Sequence, residues 1–157
     1  MIPSTAERVP AHTANRINAR IHSEMLQRLK HYQRHPEGIN DRLSELDQEW
    51  DIERTLEANA SALISSSVLL SLLWEKRSPL YLALGVSSFL LQHAIQGWCP
   101  PLPIFRRLGF RTAAEIETER YALKILRGDL VAVRRESDLE TTVMKLQRPS
   151  ERRESRH

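Results

Sequence analysis

The sequence predicts an all-α fold: a two-span transmembrane helical hairpin, with cytoplasmic amphipathic helices before and after it. Two largely apolar segments, residues 58–74 and 79–98, are joined by four residues. A helix that crosses a bilayer needs about 20 apolar residues. The second segment meets this length, whereas the first, with Asn59 and five serines, is a marginal span.

Charge and aromatic patterning favour the membrane over a soluble core. No charged residue occurs between Glu57 and Glu75, or between Arg77 and Arg106. A helical hairpin buried in a soluble bundle is the alternative, but its solvent side should carry some charge. Aromatic residues bracket the apolar band, as in membrane-interface belts; they are Trp74 and Tyr81 at one end, and Trp50, Trp98 and Phe105 at the other.

Basic residues near the span ends predict the orientation. The loop between the segments carries only Lys76 and Arg77. Five arginines flank the outer ends: Arg42, Arg54, Arg106, Arg107 and Arg111. The positive-inside rule therefore places both termini in the cytoplasm.

The part of the chain before the hairpin is predicted as a disordered start followed by two helices. Residues 1–13 hold two prolines and no periodic pattern. Residues 14–57 then form an N-terminal cytoplasmic helical hairpin leading into the first span. Its two narrow apolar stripes, separated by the break at Pro36, are Ile17, Ile21, Met25, Leu29 and Tyr32, then Ile39, Leu43, Leu46 and Trp50. A basic helix followed by an acidic one suggests an antiparallel pair, and the second should continue unbroken into the first span.

After the transmembrane hairpin (58–98), residues 99–147 are predicted to form a Cys-Pro turn and C-terminal helices. Three prolines in residues 99–103 argue against regular helix there. Thr112 with Glu115 fits a capping box, which predicts a helix over 113–127 ended by Gly128. A second match at residues 137–140 precedes a stripe of Leu139, Val143 and Leu146. The Arg/Glu/Ser-rich tail, residues 148–157, is expected to be disordered.

Small residues four apart line the first segment and predict close helix packing, within the hairpin or between copies. The sets are Ala58, Ala62 and Ser66, then Ser61 and Ser65, then Ser67 and Ser71. We expect a leucine at Ser65 or Ser66 to weaken that packing.

Composition excludes several classes of site. The net charge of +3 is modest and basic residues are interspersed with acidic ones, which is not the footprint of a nucleic-acid binder. One cysteine permits neither an intrachain disulfide nor a Cys-based zinc cluster. His31 and His35 have a metal-ligand spacing, but Pro36 spoils the helix there, so neither metal nor cofactor is expected.

Six residues at the end of the second span are candidates for a site, with either a sulfur-related or a structural role in the turn: Cys99, Pro100, Pro101, His93, Arg106 and Arg107. Cys99 is expected to be a mostly protonated, slowly reacting thiol, because a proline-rich interfacial turn offers little stabilisation to a thiolate. An ionisable group in a span is a functional candidate, but for His93 a structural hydrogen bond is the favoured interpretation.

Residues 96–103, QGWCPPLP, and residues 106–112, RRLGFRT, resemble the YgaP-like transmembrane domain family, in which a two-helix hairpin ends in a Cys-Pro motif followed by a Leu-Gly turn. The resemblance covers roughly residues 49–129. It implies a small bacterial inner-membrane protein without catalysis of its own. Some members carry a sulfur-transferring rhodanese domain, for which this sequence has no α/β pattern.

The leading hypothesis is therefore a non-enzymatic integral inner-membrane protein that acts as a membrane-anchored protein-interaction module. Its partners would be the lipid bilayer and a second copy or another protein, bound through helices in 14–57 and 113–127. One alternative is a sulfur-handling accessory that uses Cys99 with a separate rhodanese. The other is a soluble helical interaction module.

Overall fold

The computed structural model describes residue 4 and residues 6–129. In these residues the chain is all-α and has no strand, so the fold class is confirmed at that level. The helices are α1 (Arg8–Ala11), α2 (Asn15–Arg34), α3 (Ile39–Gln48), α4 (Ile52–Trp74), α5 (Ser78–Gln96), α6 (Leu102–Leu108) and α7 (Ala113–Arg127). The second capping box, the stripe behind it and the predicted tail lie outside the described residues.

The chain divides into two compact units. The hairpin unit comprises Met1–Ile21 and Trp50–Ala113, and the three-helix unit comprises His22–Glu49 and Ala114–His157. The hairpin unit holds α1, α4, α5 and α6, and the three-helix unit holds α3, α7 and the second half of α2.

The predicted continuous helix from the acidic stripe into the first span is wrong. Glu49 and Asp51 have extended backbone, and α4 begins anew at Ile52. The Asp51 carboxylate accepts a hydrogen bond from the Arg54 backbone N–H at 2.7 Å. The Ile52 N–H donates to the Arg111 carbonyl at 2.8 Å. These bonds satisfy donors that a helix start leaves free, which stabilises a new N-terminus where no proline or glycine marks one.

In the hairpin unit, α4 and α5 pack against each other. The buried residues within their apolar segments are Ser67 of α4 and Ala83 and His93 of α5. Glu75 adopts a left-handed conformation at the end of α4 (φ 52°), and Pro79 lies in the first turn of α5. By length and composition, two helices could cross a membrane. They are α4, which ends at Trp74, and α5, which extends over Ser78–Gln96. Only 11% of the residues in each apolar window are buried.

Of the three predicted small-residue sets on α4, the one that contains Ser67 is buried, and the two that contain Ser65 and Ser66 are not. Ser67 is 3% exposed and its hydroxyl donates to the Leu63 carbonyl at 2.7 Å, whereas Ser65 and Ser66 are exposed. Sequence spacing identifies several candidate stripes on one helix, and only the position of α5 selects among them. Close packing of Ser65 or Ser66 between copies stays a prediction.

The start of the chain and the proline-rich turn are more ordered than predicted. Residues 8–11 form α1, and Val9 is 1% exposed within an apolar core, so the predicted disorder of 1–13 is wrong for that stretch.

Helix α6 begins at Leu102 despite the prolines, because Pro101 and Pro103 occupy positions at the helix start that need no N–H donor. The core of the unit comprises Val9, Ile52, Leu56, Cys99 and Leu102.

In the three-helix unit the predicted helix 113–127 is confirmed, and Gly128 follows it with φ 92°. Side chains of α3 and α7 form its core, packed against Leu29 and Tyr32 of α2; they are Ile39, Leu43, Leu46, Ile116 and Leu123. Trp50, which the sequence placed in the acidic stripe, follows the end of α3, belongs to the hairpin unit and is 46% exposed. Its ring lies under the Arg54 guanidinium, at 4.3 Å.

Candidate functional site at the base of the hairpin

The base of the hairpin is the end where α4 begins, α5 ends and the Cys-Pro turn follows. Cys99 lies there with a free thiol that is only 4% exposed. Burial raises the pKa of the Cys99 thiol, and the Leu102 backbone N–H opposes this rise in part. The protonated thiol is therefore favoured, and a thiol of this kind is a poor nucleophile near neutral pH.

An apolar cavity of about 390 Å³ lies beside Cys99, between α4, α5 and the turn. Cys99, Pro100 and Pro101 form one wall, together with Phe105 of α6. The other walls are residues of α4 and α5: Leu56, Asn59, Ala60, Leu63, Val86, Phe89 and Leu90. The predicted turn residues thus enclose apolar space rather than a polar reaction centre.

Arg106 holds this end of the unit together. Its side chain is fully buried and donates to three oxygens: Thr13 Oγ1 at 3.2 Å, the Phe110 carbonyl at 3.0 Å and Asn18 Oδ1 at 2.9 Å. Three such bonds fix the segment after α1 and the start of α2 against α6, and a buried guanidinium needs partners of this kind. The Arg106 guanidinium therefore has a structural role: its hydrogen bonds are made to these oxygens rather than to the Cys99 thiol.

Arg107 differs from its neighbour because its side chain is exposed. Its carbonyl oxygen accepts a hydrogen bond from the Arg20 guanidinium at 2.8 Å. The backbone at Arg107 therefore anchors α2, while its side chain faces away from the core.

His93 has no structural hydrogen bond, contrary to the interpretation from sequence. Its ring is 5% exposed, and neither ring nitrogen has a partner among the described residues. Two neighbouring groups share this property: Arg8 Nε and Glu53 Oε2 are also buried without a partner. A buried polar atom left unpaired costs stability, and such atoms in a native fold call for an explanation.

Arg8 lies directly against the end of α5. One of its terminal guanidinium nitrogens donates to the Ala94 carbonyl at 2.9 Å, and a cation at a helix C-terminus is favourable. The backbone passes so close to Gly97 (φ 78°) that a Cβ there would stand 2.6 Å from the Cβ of Arg8. Glycine at this position therefore permits both the left-handed turn and the approach of α1.

Glu53 lies in the first turn of α4, ahead of the first apolar segment. Burial raises the pKa of the Glu53 carboxyl; its own backbone N–H opposes the rise, Asp51 adds to it, and Arg8 and Arg106 oppose it. The neutral acid is therefore stabilised in the fold. Arg8 and Glu53 were not among the residues selected from sequence, because their burial follows from the docking of α1, which no periodic pattern indicates.

The three-helix unit contains a buried ion cluster. Glu119 of α7 is fully buried and accepts from Arg28 Nε at 3.0 Å and from Arg42 Nε at 2.9 Å. Burial acts to lower the pKa of the Arg42 guanidinium, but hydrogen bonds and the charges of Glu119, Glu45 and Glu49 outweigh it, so the pKa is raised. Glu119 follows Ile116 by three residues and precedes Leu123 by four, so it lies on the same helix face as these apolar residues. This spacing could have identified Glu119 from sequence as a buried carboxylate.

The two histidines with metal-ligand spacing stack on the surface instead. Their ring centroids are 4.8 Å apart, and His35 Nδ1 lies 3.4 Å from a carboxylate oxygen of Glu37. Among residue 4 and residues 6–129, no group of three or more His, Cys, Asp or Glu side chains is placed to hold a metal ion.

Comparison of the chain with models of known families, with curated proteins and with solved structures finds no significant match.

Proposed function

We propose that this chain is an integral membrane protein in which α4 and α5 cross the bilayer and the other helices form a cytoplasmic protein-interaction module. The supporting observation is the outer surface of the hairpin. Seven large apolar side chains on each helix are exposed: Leu63, Val68, Leu69, Leu70, Leu72, Leu73 and Trp74 of α4, and Leu80, Tyr81, Leu82, Leu84, Phe89, Leu91 and Ile95 of α5.

This exposure weighs against the soluble alternative. The central helix of a soluble protein can be equally apolar, but its residues are then mostly buried. Here only 11% of each apolar window is buried, and no charge interrupts either segment. An uncharged apolar surface of this extent is stable in contact with lipid, whereas in water it is an association or aggregation site.

Extraction tests the membrane proposal. The protein should remain with membranes through an alkaline carbonate wash and be released only by detergent. Leu91→Arg places a charge within the second apolar segment, where insertion costs about 2.5–3.5 kcal/mol, and should reduce the retained fraction. Leu108→Arg is the matched control, because Leu108 is comparably exposed but lies outside both segments. Recovery of the wild-type chain in the wash supernatant would refute the proposal.

The orientation of the hairpin and the identity of the membrane that it crosses are proposed on separate grounds. The five-to-two count of basic residues supports cytoplasmic termini, and the resemblance to the YgaP-like family supports a bacterial inner membrane. Reporter fusions at Met1 and His157 should both behave as cytoplasmic, and a reporter inserted after Arg77 as external. Opposite behaviour of the two termini would mean that only one segment crosses.

Burial of Cys99 favours a structural role over the sulfur-handling alternative. Sulfur transfer from a separate rhodanese needs an accessible thiolate, whereas Cys99 is 4% exposed and burial raises the pKa of its thiol. A persulfide detected on Cys99 in cells would reverse this preference.

A further inference from the structure

The apolar cavity at the base of the hairpin lies entirely within the hairpin unit, along one face of each long helix. Its α4 wall includes Leu56, Ala60 and Leu63, which are spaced four and three residues apart. Its α5 wall includes Val86 and Leu90, which are four residues apart. Residues at these spacings share a helix face. The cavity is therefore a gap between α4 and α5, and the Cys-Pro turn bounds it at the base.

This cavity connects the buried core of the unit to its outer surface. On the inner side, Leu56 and Cys99 are each 4% exposed. On the outer side, Leu63 and Phe89 are 51% and 46% exposed, and both belong to the apolar surface that supports the membrane proposal. Hydrocarbon in contact with that surface can therefore enter the cavity from the side of the hairpin.

The walls of the cavity suit hydrocarbon rather than water. Asn59 brings a polar amide to the wall, but this amide already donates to the Thr55 carbonyl at 2.7 Å. None of the wall side chains is charged, and the Cys99 thiol is only a weak hydrogen-bonding group. Cavities with apolar walls stay dry and bind apolar molecules. An empty cavity costs stability, because the wall atoms lose contacts on one side.

We propose that a single acyl chain of a membrane phospholipid occupies this cavity. The inference rests on the proposed function, because the bilayer around α4 and α5 is the source of the chain. A volume of about 390 Å³ lies near the lower end of the range for ligand pockets, roughly 300–1,000 Å³, and suits one chain rather than a whole lipid. The α4 wall from Leu56 to Leu63 is about 10 Å long, so the cavity encloses part of the chain.

The apolar walls also set the specificity of the site. A charged headgroup inside the cavity would lose its hydration without gaining a charged partner, so the headgroup stays outside. Binding should therefore depend on the acyl chain and not on the headgroup. The bound chain supplies packing contacts that α4 and α5 do not make with each other at this level. The two helices and the Cys-Pro turn are thus packed in part through lipid.

Photolabelling in bilayers tests the inference. The full chain is reconstituted in vesicles of phosphatidylethanolamine and phosphatidylglycerol that contain a trace of phosphatidylcholine with a diazirine on one acyl chain. After illumination, mass spectrometry locates the adducts on the protein. Leu56 and Cys99 should carry adducts although both are buried, because both line the cavity. Ile52 and Leu102 are the matched controls and should carry none, because they belong to the same apolar core but do not line the cavity.

A larger side chain inside the cavity should exclude the acyl chain. Ala60→Leu displaces about two methylene groups of the chain, and each is worth about fourfold in occupancy, so labelling of Leu56 and Cys99 should fall roughly 15-fold. Ala62→Leu is the matched control, because it adds the same atoms at an exposed position of α4 that does not line the cavity. It should leave the labelling unchanged, and equal labelling in the two variants would overturn the inference.

The thermal midpoint in detergent checks that Ala60→Leu fills open space. The midpoint should not fall, because the added atoms enter the cavity rather than the packed interior. Val86→Leu extends a side chain from the opposite wall and should reduce the labelling in the same way. A lower midpoint for Ala60→Leu would show that protein already fills the space beside it, and would overturn the inference.

The pattern of adducts separates the bound chain from the membrane proposal. Adducts on the exposed Leu72 and Leu73 of α4, with none on Leu56 or Cys99, would refute the bound chain and leave the membrane proposal intact. The lack of adducts at both places would refute both. Labelling of Leu56 and Cys99 by a diazirine fatty acid, but not by the phospholipid, would assign the cavity to a free fatty acid and overturn the inference.

Discussion

The buried ion cluster of the three-helix unit predicts a large effect for Glu119→Gln. Glu119 is fully buried and is the shared acceptor of Arg28 and Arg42. Removing one partner of a buried ion pair costs about 3–5 kcal/mol. Here the Arg28 side chain is 31% exposed and that of Arg42 is 14% exposed, so both can recover some hydration, and glutamine keeps one acceptor oxygen. We therefore expect a loss of about 2 kcal/mol.

Native-state hydrogen exchange of the α7 amides measures this loss locally, without requiring that the two units unfold together. A change of about 2 kcal/mol corresponds to roughly 30-fold faster exchange. Glu117→Gln is the matched control: it makes the same chemical change two residues away, but Glu117 is 47% exposed in its pair with Arg120. Surface pairs contribute about 0–1 kcal/mol, so the control should change exchange less than fivefold. Equal effects of the two variants would refute a stabilising role for the buried cluster.

The hairpin unit gives four further predictions. His93→Leu should raise the thermal midpoint in detergent, because it removes two unpaired buried nitrogens that cost about 1–3 kcal/mol; a lower midpoint would show that the ring has a stabilising partner. Ser67→Leu should lower the midpoint by overpacking the α4–α5 interface, at a cost of about 1–3 kcal/mol, while the exposed Ser66→Leu should leave the monomer unchanged. Because the fold raises the pKa of the Glu53 carboxyl, folding favours its protonated form. The stability that this carboxyl contributes is fully present below its pKa in the unfolded chain, and it is lost as pH rises through the pKa in the fold. Glu53→Gln should thus stabilise the protein at pH 7 and have no effect near pH 3; a constant difference across that range would contradict the assignment. Cys99 should react with a maleimide far more slowly than the same thiol in denatured protein, and faster above pH 9, because burial raises its pKa; equal rates at pH 7 would contradict burial.

Features encoded by local spacing were predicted well from sequence. The capping box at Thr112 and the glycine at position 128 predicted α7 from local sequence, and its bounds match the prediction. The two apolar segments were also identified as helices, because neither contains a strong breaker and both are long. These properties depend on backbone hydrogen bonds and side-chain periodicity within about 15 residues, which a single sequence displays directly.

Features that depend on contacts between distant residues were missed or misassigned. The break before α4 is stabilised by the Arg111 carbonyl, which lies 59 residues further along the chain than the Ile52 N–H that it accepts from. The order of α1 comes from burial of Val9 beside Cys99 and Leu102, and not from any local pattern.

By itself, the sequence determined that this protein is all-α in the described residues and that two of its helices are long and apolar enough to cross a membrane. Only the tertiary structure decided which residues of those helices face each other and which polar groups lie buried between elements. The physical reason is that periodicity gives the faces of a helix but not their partners. Burial of His93, Glu53 and Arg106 arises where α1, α4, α5 and α6 meet, and a buried polar group is defined by every element around it.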